Sequence, residues 1–149
     1  MHHWGDLERA DPTLAALGRR LINASGRAFL ATSRNDGRPR MHPICPFLTP
    51  TGLYTGIIRR SPKCHDLSAR GDYVLHALPG PGDAEFWVEG TARPVGETEQ
   101  KELGEKYPAL SMPTGDKLFE LEITQAHGTL FHSGENHVPV PDRRHWRGE

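Results

Sequence analysis

Hydrophobic spacing changes character several times along this chain, and each change marks an element. Leu14, Leu17 and Leu21, with Ile22 beside them, fall on one stripe at helical spacing. Asp11-Pro12 opens that stretch as cap and first helical residue, and Gly26 supplies its stop. From Ala28 the period becomes extended. Phe29-Leu30-Ala31-Thr32-Ser33 reads as a strand, and Asn35-Asp36-Gly37 as a hairpin turn, because these residues tolerate positive φ. The return strand, Pro39 to Leu48, carries Pro39, Pro43 and Pro46, so it is predicted to be an edge, bulged or bent. It is either an ordinary irregular edge or a strand whose unpaired backbone groups serve a planar ligand.

After the turn Thr49-Pro50-Thr51-Gly52, the strand Leu53 to Ile58 runs into Arg59-Arg60-Ser61-Pro62-Lys63. A helix from Lys63 to Arg70 follows, with Leu67 inward and Gly71 ending it. Tyr73 to Leu78 and Glu85 to Val95 read as strands, the latter with Phe86 and Val88 opposite in phase to Glu85, Trp87 and Glu89. Glu97 to Tyr107 is a polar helix. Lys117 to Ile123 alternates cleanly, with Phe119, Leu121 and Ile123 on one face and Glu120 and Glu122 on the other. Gly128 to Phe131 adds a last strand, and the stretch from Gly134 reads as an arm. The pattern predicts a mainly β fold with peripheral helices, a six- to seven-stranded antiparallel barrel. Its parts are an N-terminal segment and helix (1–27), a barrel domain (28–133) and a C-terminal arm (134–149).

The turn before the third predicted helix carries the clearest chemistry. Ser61 suits an N-cap and Pro62 the first helical position. A helix N-terminus already bears partial positive charge, so Arg59, Arg60 and Lys63 crowd cations at the wrong pole unless an anion sits among them. Phosphate fits, since Arg binds it with paired hydrogen bonds and Lys adds a point charge. A solvated basic turn is the plainer alternative.

Composition keeps that cluster local. The chain has 149 residues, 25% of them charged, and a formal net charge of -1, which speaks against a polyanion-binding protein. No nucleic-acid role is expected. Cys45 and Cys64 make no disulfide framework. No apolar run of membrane-spanning length and no apolar signal core is present, so no membrane role and a cytoplasmic location are expected. His42, Cys45, Cys64 and His65 lack metal-ligand spacing, so no metal is expected. His127, His132 and His137 are conceivable haem ligands.

In order and spacing, several short segments resemble the pyridoxamine 5′-phosphate oxidase-like, flavin-binding split-barrel family. They are Phe29-Leu30-Ala31-Thr32 with Asp36-Gly37-Arg38-Pro39, Leu53-Tyr54-Thr55, Ser61-Pro62-Lys63 with Asp66-Leu67, and Glu85-Phe86-Trp87-Val88-Glu89-Gly90. The resemblance implies a split β-barrel homodimer with flavin mononucleotide (FMN) in the grooves between subunits. It matches Arg40, Met41 and His42 to the segment that lines the flavin ring and part of the phosphate, and the backbone from Arg40 to Pro43 is expected to hold the ring. Tyr54 and Thr55 match cofactor-holding positions, and Ser61 and Lys63 match phosphate contacts. Glu85 stands where the family often has Gln.

Pro62 stands where the oxidase has a basic phosphate ligand, a role open to Arg59 or Arg60. The oxidase's Trp- and Arg-containing substrate segment has no counterpart between Pro139 and Glu149. The expectation is therefore not an authentic pyridoxamine phosphate oxidase but an FMN-dependent oxidoreductase acting on an unidentified small molecule, with no catalytic side chain assigned. The alternatives are a reductase using coenzyme F420 on the same fold, its longer tail tracked by Arg38 and Arg40, or a non-catalytic flavin- or haem-binding module.

Overall fold

The computed structural model describes residues 2–149. Two helices open the chain, α1 (Trp4–Ala10) and α2 (Pro12–Ser25). Asp11 caps α2 through a 3.0 Å hydrogen bond accepted from the Leu14 N–H, and Gly26 ends it in the left-handed conformation. The pattern did not announce α1, whose seven residues carry only Trp4 and Leu7 as large apolar side chains. Both are fully buried, and Trp4 packs edge-on against Phe86.

The remaining elements are β1 (Ala28–Ser33), β2 (Pro39–Ile44), β3 (Pro46–Leu48), β4 (Leu53–Ile57), α3 (Pro62–Ala69), β5 (Asp72–Ala77), β6 (Glu85–Pro94), α4 (Glu97–Lys106), β7 (Lys117–Ser133) and β8 (Pro139–Arg147). All strands pair antiparallel in the order β2-β1-β5-β6-β7-β4-β3, with β8 on β7. This is the expected mainly β split barrel. The proline-bearing return strand is indeed bent: it breaks at Cys45, and its halves lie at opposite ends of the strand order. Consecutive residues thus bridge two ends of a sheet that hydrogen bonds leave open.

Two details differ from the pattern. The segments predicted as separate strands at Lys117 and Gly128 are one 17-residue strand, β7, which pairs β4 near its start, β6 along its middle and β8 beyond. The arm from Gly134 contains an eighth strand, because Pro139 and Pro141 fall on an edge, where a missing N–H costs no ladder bond. Past Thr129, β7 pairs only with β8, and this hairpin exposes Leu130, Phe131, Val138 and Val140.

The core lies between the inner sheet face and helices α1, α2 and α3. Leu30, Leu75, Val88, Phe119, Leu121, Ile123 and Ala126 are all 1% exposed or less. A smaller cluster of Tyr54, Leu110 and Leu118 packs with residues of α4 and the segment after it. Among the described residues, no helix is long and apolar enough to cross a membrane.

Candidate functional site

The sequence builds α3 as its signals require. The Ser61 hydroxyl accepts from the Cys64 N–H at 3.3 Å and donates to the Ile58 carbonyl at 2.7 Å, so its hydrogen is committed within the turn. Arg59 donates through Nε to the Gly115 carbonyl at 2.8 Å. Arg60 is exposed and Lys63 half-buried, and among the described residues no carboxylate pairs with either. Lys117, at the start of β7, donates to Ser68 Oγ at 2.9 Å. With Arg59, Cys64 and His65 it lines a cavity of about 240 Å³ beside α3. Sequence spacing does not reveal this fourth cation, since only the β4–β7 pairing brings it to the turn.

On β2 the side chains alternate between two environments. Arg40 and His42 share the inner face with Thr32 and Leu30, opposite which they pair. Arg40 Nε lies 2.8 Å from Asp66 Oδ2, and Thr32 Oγ1 donates to the same oxygen at 2.8 Å. Arg70, the residue that caps the C-terminal end of α3, adds a contact to the other carboxylate oxygen. Burial pushes the Asp66 carboxyl up, but the Arg40 and Thr32 hydrogen bonds and the charges of Arg40 and Arg70 outweigh it and hold the carboxyl below its usual range. His42 Nε2 is buried without a hydrogen-bond partner. Burial, followed by the charges of Lys63 and Arg40, lowers its ring pKa.

Met41 and Pro43 take the opposite face. The register joins Pro43, Phe29, His76, Trp87, His127 and His145 into one row across six strands. Trp87 stacks on His127 at 3.8 Å between centroids, and His127 on His145 at 4.3 Å. Both faces of the His127 ring are therefore covered. Burial, then the charge of His145, lowers its pKa. Beside the row an open groove of about 450 Å³ runs over Ala31, Val74 and Glu89. Met41 is 65% exposed and Phe29 38%, so this sheet face presents apolar area to solvent.

One chain thus brings Arg40, His42, Arg59, Arg60, Ser61 and Lys63 together around α3. Met41 and Pro43 sit on the far side of the same strand. Tyr54 and Thr55 are 6% and 1% exposed; burial pushes the Tyr54 phenol up to about 12, and Thr55 Oγ1 is buried without a partner. Neither side chain is at the surface of this chain. Glu85 is exposed at the start of β6, three strands from β2.

No family model matches the chain, and no curated protein matches it either. Solved structures do. A heme binding protein from Mycobacterium smegmatis aligns at TM-score 0.64 and 14% identity, covering 89% of this chain and 58% of its own. PhzG from Burkholderia lata 383, solved with tetrahydrophenazine-1-carboxylic acid, aligns at 0.63 and 16%, covering 95% and 96%. A pyridoxamine 5′-phosphate oxidase-related, FMN binding protein from Nostoc punctiforme PCC 73102 aligns at 0.61 and 12%, covering 90% and 95%. At these identities the likeness is one of architecture: the chain has the pyridoxamine 5′-phosphate oxidase-like split-barrel fold.

Proposed function

We propose that this protein binds FMN in the groove of a homodimer and acts as a flavin-dependent oxidoreductase on a small molecule. The observation that supports this reading most is the cationic turn at the capped start of α3. There, among the described residues, Arg60 and Lys63 have no carboxylate partner and the buried His42 Nε2 has no hydrogen-bond partner. A phosphate dianion fits that donor set. Arg59, Arg60 and Lys63 would hold it at the positive end of α3. The Arg40–Asp66 pair fixes β2 against α3, and the unpaired edge of β2 from Arg40 to Pro43 would face the ring system. When bound, the flavin supplies the hydride or electron transfer.

A second copy over the row from Pro43 to His145 would cover Phe29 and Met41 and exclude water from the groove. Coenzyme F420 is less well served, because Arg38 pairs with Asp36 and Arg40 with Asp66, which engages the cations its tail would use. Haem is the other alternative, with His127, His132 and His137 as its candidate ligands.

The test is titration of the purified protein with FMN, riboflavin, F420 and haem, read by absorbance and fluorescence. FMN should bind, and the Arg60→Ala/Lys63→Ala double variant should weaken it by about tenfold to a hundredfold, the loss of one or two charge-assisted hydrogen bonds. Riboflavin, lacking the phosphate, should bind both forms alike. Equal FMN affinity in both forms, or binding of none of the four, would overturn the reading.

A further inference from the structure

The N-terminus folds over β7 where Glu120 and Glu122 alternate with the core residues Phe119, Leu121 and Ile123. We propose that His3, Glu120 and Glu122 form a binding site for a divalent first-row transition ion such as Zn²⁺. Their ligand atoms all lie within 4.8 Å of one another. The two carboxylates are 3% and 6% exposed, while the His3 ring, 44% exposed, closes the outer side. Its Nδ1 lies 2.6 Å from Glu120 Oε1.

The set is built rather than accidental. The His2 carbonyl accepts from the Ile123 N–H at 2.8 Å, the His3 N–H donates to Asp6 at 2.7 Å, and the Gly5 N–H donates to the Thr51 carbonyl at 3.1 Å. These bonds fix the backbone around His3 over β7. Arg93 holds the other Glu120 oxygen and Glu122 Oε1, and pairs with both oxygens of Glu99. An arginine in that place orients the carboxylates, as outer-shell partners of metal ligands do.

Charge and chemistry favour a cation here. Three carboxylates, Glu99, Glu120 and Glu122, face one guanidinium, and two of the three are buried. One imidazole with two carboxylates suits Zn²⁺ or its neighbours better than Ca²⁺ or Mg²⁺, which prefer oxygen throughout. A cavity of about 300 Å³, lined by His3, Asp6, Tyr54, Arg93 and Glu120 among others, opens onto the set. It offers an entry path and room for water ligands.

This inference is independent of the flavin reading. The test is titration of the full chain with Zn²⁺ by calorimetry and with Co²⁺ by visible absorption, alongside His3→Ala and His145→Ala. His3→Ala removes a half-exposed side chain and should leave the fold intact by circular dichroism. One ion per chain is expected, weakened at least tenfold by His3→Ala and unchanged by His145→Ala. Saturating Zn²⁺ should raise the thermal midpoint by a few degrees in the parent and His145→Ala but not in His3→Ala. Binding that His3→Ala does not weaken, or several weak sites lost with His145→Ala, would overturn the assignment.

Discussion

Arg40 on the edge strand β2 and Asp66 on α3 meet at 2.8 Å, which ties the strand bearing His42 to the helix bearing the cationic turn. Asp66 is 3% exposed and also accepts from Thr32. Asp66→Asn removes the charge that Arg40 and Arg70 face, and should destabilise the fold by about 3 kcal/mol. The pH dependence follows from the lowered carboxyl. The contribution of Asp66 is fully present above the ordinary carboxylate value of about 3.9. It is lost as pH falls through the lower folded value. Urea melts between pH 2 and 6 should show this acid limb in the parent and a shallower one in Asp66→Asn.

His127 works in the opposite pH range. Its folded pKa is lowered, so the unfolded chain takes up the proton first as pH falls below about 6.5. Stability should be full above that value and decline until the folded ring itself titrates. His127→Gln should flatten the decline, as read by thermal midpoints from pH 5 to 8.

His42 offers a probe of the α3 turn. In the free protein its ring should titrate below 6.5, because burial and the charges of Lys63 and Arg40 oppose protonation. An anion held by Lys63 offsets part of that charge, so the ring pKa should rise when FMN is added. Histidine NMR titrations with and without FMN measure both values, and no rise on saturation would remove the phosphate from this end of α3.

Gly90 marks the irregularity where β6 and β7 shift register. A Cβ there would run into the backbone carbonyl of Glu122, which cannot rotate away. Gly90→Ala should cost about 1–3 kcal/mol as an overpacked position. Chemical denaturation would show it as a lower midpoint with little change of slope.

Local signals made the fold legible where they were self-contained. Asp11-Pro12 and Ser61-Pro62 start helices because cap and proline act within one turn, and Asn35-Asp36-Gly37 makes its hairpin for the same reason. β8 is not legible in the sequence, because Pro139 and Pro141 mark a strand only where an edge position leaves their missing N–H without a ladder partner. Alternation separated Glu120 and Glu122 from the apolar face of β7 but did not reveal their burial. That burial depends on Arg93, 27 residues before Glu120, and on His3, 117 residues before it. Around α3 the cations of one turn were visible, whereas Lys117 was not. The burial of Tyr54 depends on α4 and the loop after it, which sequence spacing does not place.

The bent segment around Cys45 carries one more consequence. It supplies two of the edge strands, β2 with Pro39 and Pro43 and β3 with Pro46, while the third, β8, contains Pro139 and Pro141. Each of these prolines interrupts a row of N–H donors that an incoming strand would need in order to add to the sheet. Partners can approach the broad faces, but edge-on templating of cross-β aggregates meets a gap at each rim. The irregularity that bends the chain between two ends of the barrel thus also protects it, at the level of colloidal behaviour, from growth into fibrils.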